Sequence, residues 1–198
     1  MELDDFLIDL LAHLENTYNN GKNKNSEIQV GFCRTDSDII IYISDNKANK
    51  PGYNELKFDG KNIGRYVYSN NQDLAKLNIK IKIVGRPQGF SGCLHAEMNI
   101  IRQMLNDLCE KKNFTQHTTL YLKGKKCPCK KCQDFIDLLN SVASHFLTVN
   151  VLRPTEEVSQ RQNPSMWDNP MNYLAKDCIL SILSESDYDI LCSVKDIQ

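Results

Sequence analysis

No apolar run in this chain is long enough to cross a bilayer as a helix, which sets aside the helical membrane classes. The first residues, Met1-Glu2-Leu3-Asp4-Asp5, are acidic and lack the basic-then-apolar pattern of a secretory leader. Charge of one sign is also missing. With 24 Lys and Arg against 25 Asp and Glu, the formal net charge is −1. Nothing here acts as a global electrostatic footprint for nucleic acid, so any such contact must come from a local patch. Internal repeats are absent, which excludes solenoids and repeat arrays. What is present is 198 residues with 41% hydrophobic content, enough for one domain with a proper core over 1–198. Eight cysteines would suit a disulfide framework in a secreted chain, but an intracellular, reducing setting, cytoplasmic or nuclear, is expected instead.

The periodicity of the chain alternates between helix and strand. Leu3, Phe6, Leu7, Leu10, Leu11 and Leu14 share one helical face, predicting an amphipathic helix from residue 3 to about 18, with His13 off the stripe and at the surface. After a polar turn at 19–25, Ile28 to Cys33 and Ile39 to Ser44 read as two strands joined by a hairpin. Residues 47–90 are the least patterned stretch, read as a lid or an insertion, with one half-exposed strand where Ile79, Ile81 and Ile83 alternate with Lys80 and Lys82. Further strands are expected over 118–122 and 146–152, and a short helix begins at Asn169-Pro170. The apolar run Cys178 to Leu183 reads as a last strand and Asp187 to Val194 as a partial helix. Strand, helix and strand in succession imply parallel pairs with right-handed crossovers. The expected fold is a three-layer α/β/α sandwich on a five-stranded mixed sheet.

Two short clusters carry the chemistry, His95-Ala96-Glu97 and Pro128-Cys129-Lys130-Lys131-Cys132. One imidazole and two thiolates are the ligand types that zinc selects, and three protein ligands leave one tetrahedral position open, as in catalytic rather than structural sites. An open position takes water and brings its pKa toward neutrality. Glu97, two residues from the imidazole, could then carry protons between that water and a substrate. Ile100, Ile101, Met104, Leu105 and Leu108 follow Glu97 at helical spacing, and Phe135, Ile136 and Leu139 follow Cys132. Each cluster therefore opens a helix, and Pro128 suits a helix start. Cys129 and Cys132, at i and i+3, share one face of the first turn. The positive ends of two helices would point at one metal, favouring thiolate and carboxylate.

His-x-Glu followed by Pro-Cys-x-x-Cys resembles the signature of the zinc-dependent nucleobase deaminases, the cytidine deaminase-like superfamily. The resemblance covers most of the chain from Ile28 onward and implies a cytidine deaminase-like α/β/α fold. It also implies a zinc ion on His95, Cys129 and Cys132, with Glu97 as proton shuttle in hydrolysis of an amino group from a base. Free cytidine deaminases usually carry cysteine where His95 stands. The tRNA adenosine and deoxycytidylate enzymes usually place an acid where Cys127 stands. The chain looks more like the AID/APOBEC group, which acts on cytosine in single-stranded DNA or RNA, with bacterial toxin deaminases nearly as similar. Asn46-Lys47, or Asn49-Lys50-Pro51, resembles that group's Asn-Lys pair, which places Asn46 at the target nucleotide. Ile182 to Cys192 resembles its terminal strand and following acidic, aromatic segment. By the same resemblance Ala96 and Pro128 would touch the base. The group's tryptophan-serine lead into Pro-Cys is replaced here by Gly124-Lys125-Lys126-Cys127.

Lys123, Lys125, Lys126, Lys130 and Lys131 crowd the second motif, and such a cluster can neutralise the phosphates of a nucleotide or polynucleotide. Tyr42, Tyr53, Tyr66, Tyr68, Phe90 and Trp167 are available for base stacking, with Trp167 the most exposed in expectation. Three readings stand: cytosine deamination in single-stranded nucleic acid; the same chemistry on free nucleotides or double-stranded DNA; and a non-enzymatic module in which Cys93 or Cys127 closes a structural zinc. No motif sets the oligomeric state.

Overall fold

A computed structural model describes residues 2–19, 27–34, 38–45, 57–71, 74, 77–85, 94–110, 117–155 and 167–194. Helix α1 (Leu3–Leu14) runs into a wider π-type turn (Glu15–Asn19). Strands β1 (Ile28–Arg34) and β2 (Asp38–Asp45) pair antiparallel, with Gly31 opposite Tyr42. Helix α2 (Gly60–Asn70) and strand β3 (Asn78–Ile83) follow, then α3 (Ala96–Glu110), β4 (Thr118–Gly124), α4 (Lys130–Val142) and β5 (Leu147–Val151). The chain closes with a 3-10 turn (Pro170–Tyr173), α5 (Lys176–Ile179) and α6 (Glu185–Cys192).

The strands form one five-stranded sheet in the order β3-β2-β1-β4-β5. β1 is antiparallel to both neighbours, while β2–β3 and β4–β5 are parallel pairs crossed over by α2 and α4. Strand alternation sends residues to two opposite faces. On one face Ile28, Val30, Phe32, Ile39, Ile41 and Ile43 meet Leu7, Leu10, Leu11 and Leu14 of α1 and Ile63 and Val67 of α2. On the other, Cys33, Ile40, Tyr42, Leu120 and Leu122 meet α3, α4 and the carboxyl-terminal elements. The result is the expected α/β/α sandwich.

The fifth strand differs from the expectation. Residues 178–183 are not a strand: α5 ends at Ile179 and a turn follows, with Ile182 N–H bonded to the Ile179 carbonyl at 2.9 Å. Only Ile179 and Leu183 of that run are buried, which is helical spacing. The fifth strand is instead β3, at the sheet edge beside β2. Helix α2 has no counterpart in the sequence reading. Asp59 caps it, its carboxylate accepting from the N–H groups of Lys61 (2.9 Å) and Asn62 (3.2 Å). His13, expected at the surface, is half-buried with its ring stacked 3.7 Å from that of Tyr66, which ties α1 to α2.

Gly31 lies in β1 directly against Ile100 of α3. A Cβ there would stand 2.7 Å from Ile100 Cγ2 and 3.2 Å from Leu120 Cδ1. Its backbone is ordinary strand, so the packing requires the glycine and the backbone conformation does not. Across α3, Asp107 is buried and fully engaged: it accepts from the Tyr42 hydroxyl (2.8 Å) and the Gln103 amide (3.0 Å) and pairs with Lys82 (2.7 Å).

Candidate metal centre

The site is assembled from the starts of α3 and α4. Asn99 N–H donates to the His95 carbonyl at 2.9 Å, which puts His95 at the cap of α3. Cys129 is the cap of α4, with extended backbone (φ −64°, ψ 164°), and its carbonyl accepts from Gln133 N–H at 2.9 Å. Pro128 therefore stands just outside the helix, where its missing N–H costs nothing. The Cys129 thiol makes no cap bond to its own helix. It faces the imidazole instead.

Cys129 Sγ lies 3.5 Å from His95 Nδ1 and Cys132 Sγ lies 3.4 Å from it. All three donor atoms fall within 4.8 Å of one another. Donors bound to zinc at ~2.3 Å (sulfur) and ~2.1 Å (nitrogen) with tetrahedral angles sit about 3.5 Å apart. The observed separations are those of a ligand set sharing one ion. Cys129 and Cys132 are buried and His95 is half-buried, so the cluster opens on the imidazole side. Cys127 is not in the cluster among the described residues, and Cys93 lies outside them.

The two thiols are electrostatically unequal. Cys129 is held down to about 4 by the hydrogen bond from Cys132, reinforced by His95 against the opposing effect of burial. Cys132 is pushed well up, first by burial, then by its bond to Cys129 and by the Glu97 carboxylate. A divalent metal on the cluster would favour the thiolate form of both. Glu97 is buried in the first turn of α3, two residues from His95, and its carboxylate acts on Cys132 electrostatically.

The family model for the cytidine and deoxycytidylate deaminase zinc-binding region matches residues 7–147, more than two thirds of the chain. The chain belongs to that family. No curated protein and no solved structure matches it. Zinc is the metal of this family, and the His-Cys-Cys cluster is positioned to hold it. The five-stranded α/β/α architecture agrees with the cytidine deaminase-like fold. Among the described residues no helix is long and apolar enough to cross a membrane.

Around the deaminase centre the other sequence expectations meet mixed outcomes. Ala96 is fully buried at the first position of α3, and Pro128 is half-buried. Lys125 pairs with Glu15 (3.3 Å) and Lys130 with Asp134 (2.6 Å), while Lys126 is half-buried. Lys123 does not belong to the basic rim. It points to the opposite face of the sheet, 2% exposed, with its ammonium 2.7 Å from Asp4 and 2.5 Å from the Arg153 carbonyl. Asn46, Lys47, Asn49, Lys50, Pro51, Tyr53 and Phe90 lie outside the described residues.

Trp167 is the clearest correction. It is buried, not an exposed stacking platform. Its ring packs 6.5 Å from that of Phe135, and its indole N–H donates to Cys132 Sγ at 3.3 Å. Tyr42 is buried as well and Tyr66 is engaged by His13, which leaves Tyr68 as the exposed one among the described candidates. The sequence carries no local signal for the Trp167–Cys132 contact, because the two residues are 35 positions apart.

Proposed function

We propose that this deaminase hydrolyses the exocyclic amine of cytosine within single-stranded nucleic acid, producing uracil. The observation that carries the chemistry is the convergence of His95, Cys129 and Cys132, both sulfurs 3.4–3.5 Å from His95 Nδ1, with Glu97 buried two residues from that imidazole. Zinc on these three side chains supplies a Lewis acid that makes water a competent nucleophile near neutral pH. Glu97 accepts the proton of the attacking water and delivers it to ring N3 as the C4–O bond forms. Its carboxylate then takes the proton of the new C4 hydroxyl and passes it to the amino group, so that the C4 carbonyl forms as the C4–N bond breaks and ammonia departs. Burial excludes bulk water, so proton exchange is confined to Glu97 and the reacting atoms. The half-buried lysines Lys126 and Lys131, flanking Cys129, with Lys125 and Lys130, support contact with phosphate.

A second reading has its own support. Lys125 and Lys130 are each paired with a carboxylate and Lys123 is sequestered, which thins the positive rim toward what a single nucleotide needs. The test is one assay on zinc-loaded protein with single-stranded DNA, RNA, duplex DNA and free cytidine nucleotides, read by mass. Uracil in single strands, with an affinity that falls steeply with salt, supports the first reading. Turnover confined to mononucleotides overturns it and leaves the mechanism intact. Glu97→Ala is expected to retain zinc and lose turnover, and normal activity in that variant would remove the proton-shuttle role. His95→Ala and Cys129→Ser are expected to lose the metal.

A further inference from the structure

The two sulfurs of the cluster differ in their surroundings. Cys129 Sγ makes no cap bond to its own helix and faces His95 Nδ1 at 3.5 Å. Cys132 Sγ, with its residue fully buried, receives the indole N–H of Trp167 at 3.3 Å, from a segment remote in the sequence. The segment holds that indole firmly. Two residues on, buried Asn169 donates to the carbonyls of Leu191 (2.7 Å) and Val194 (3.2 Å), while its own side-chain oxygen accepts from Met171 N–H (2.9 Å). Asp168 between them accepts from Asn172 (2.9 Å) and from the Tyr173 hydroxyl. Phe135, one turn along α4 from Cys132, closes the other side of the ring. A buried polar clamp of this kind is stabilising only when every member is satisfied, and here it fixes the direction of one N–H.

We infer that Trp167 is a positioning residue of the metal centre: its N–H orients the Cys132 sulfur and withdraws electron density from it. A thiolate that accepts a hydrogen bond donates less to its metal, so the ion keeps more Lewis acidity for the reacting water. The carboxyl-terminal segment would thus tune the reaction without touching substrate. This inference rests on the reading of Cys132 as a ligand.

The chain has a single tryptophan, so one isotope-labelled indole N–H resonance reports on this bond without assignment. The protein is loaded with a spin-active cadmium isotope and, as control, a spin-free one. Expected is a shift of the indole proton on loading, with a splitting present only for the spin-active isotope, transmitted through N–H···S to the metal. The sulfur-to-cadmium ultraviolet band, compared with that of Cys132→Ser, tells separately whether Cys132 is a ligand. Band present and weakened in that variant, with an indole neither shifted nor split, overturns the role of Trp167 alone. A band that Cys132→Ser leaves unchanged defeats the ligand reading and this inference with it. In cobalt-loaded Trp167→Phe the sulfur-to-metal band is expected at lower energy, kcat about 10-fold lower at nearly constant KM, and the acid limb of the pH profile at higher pH. Identical bands and profile in a folded Trp167→Phe protein would reduce Trp167 to packing. Should that variant not fold, the indole resonance of the unmodified protein still decides.

Discussion

Alanine in place of Gly31 would set a methyl carbon 2.7 Å from Ile100 Cγ2, with Leu120 Cδ1 and Tyr42 Cβ at 3.2 and 3.3 Å. Leu120 can yield by turning its end. Ile100 cannot: it is fully buried, and a β-branched side chain in a helix has one strongly preferred χ1. Relief must therefore come from α3 lifting off the sheet by a few tenths of an ångström, and overpacking of this kind costs about 1–3 kcal/mol. Alanine also restricts the unfolded chain, which offsets about 0.4–1 kcal/mol. The net loss is about 1–2 kcal/mol, or roughly 2–8 °C in melting temperature for a chain of this size. Thermal and urea unfolding of the apo and zinc-loaded forms measure it. Because Ile100 lies one turn beyond Glu97, the zinc affinity of Gly31→Ala should fall too, since the start of α3 moves with the rest of the helix. A double-mutant cycle isolates the contact. Ile100→Ala alone costs about 2–5 kcal/mol through its cavity, and in the double variant the new methyl occupies part of that space. The pair should then lose less than the two single losses combined, by about 1–3 kcal/mol. A Gly31→Ala protein as stable as the parent, or strict additivity in the cycle, would refute the close approach as the reason for glycine.

Other consequences can be tested with the same unfolding measurements. Asp4→Asn removes the counter-charge of the buried Lys123 ammonium, leaving it only neutral acceptors, and is expected to cost about 1–3 kcal/mol, more than Lys123→Met, which removes the charge altogether. A larger loss in Lys123→Met would reverse that account. Tyr42 is raised above its ordinary value of 10.0 by burial and then by Asp107. The stability held by its protonated hydroxyl is full below that pH and is lost above it, at about 1.4 kcal/mol per pH unit, as the unfolded chain ionises. Lys82 and Gln103 face the same carboxylate in both proteins, so Tyr42→Phe should show a shallower alkaline decline than the parent; parallel curves would exclude Tyr42 as the titrating group. Chelation of zinc should lower the melting temperature, re-addition should restore it, and Cys129→Ser should respond to neither.

The parts legible in the sequence are those where one face is buried and the pattern repeats. The leucines of α1 and the isoleucines of β1 and β2 are such runs, and the apolar spacing after Glu97 and Cys132 located both site helices. The metal cluster was legible for a different reason: ligand chemistry limits the residue types, and a helix start limits their spacing. Helix α2 escaped because only Ile63 and Val67 of it are fully buried, among two glycines and mostly polar residues. The run at 178–183 misled because a short apolar stretch fits a buried strand or a buried helix equally well. The burial of Ile179 and Leu183, four apart, would have decided it, but burial is set by the whole fold. Trp167 was misplaced on the same ground. Its neighbours suggest a surface loop, and only the packing of residues 167–194 against α4 brings it to the sulfur.

The direction of the strands has a practical corollary. β2, β3, β4 and β5 run the same way and β1 alone is reversed, so four carboxyl ends share one rim of the sheet. The Cys129 cap lies just past one of them, at the end of β4. The opposite rim carries the end of β1, the start of β2 and exposed residues such as His117 and Ser144. A dye, a surface tether or a fused partner attached along that far rim would sit a full strand length from the chemistry. Such a handle would let the protein be immobilised or tracked while it turns over substrate.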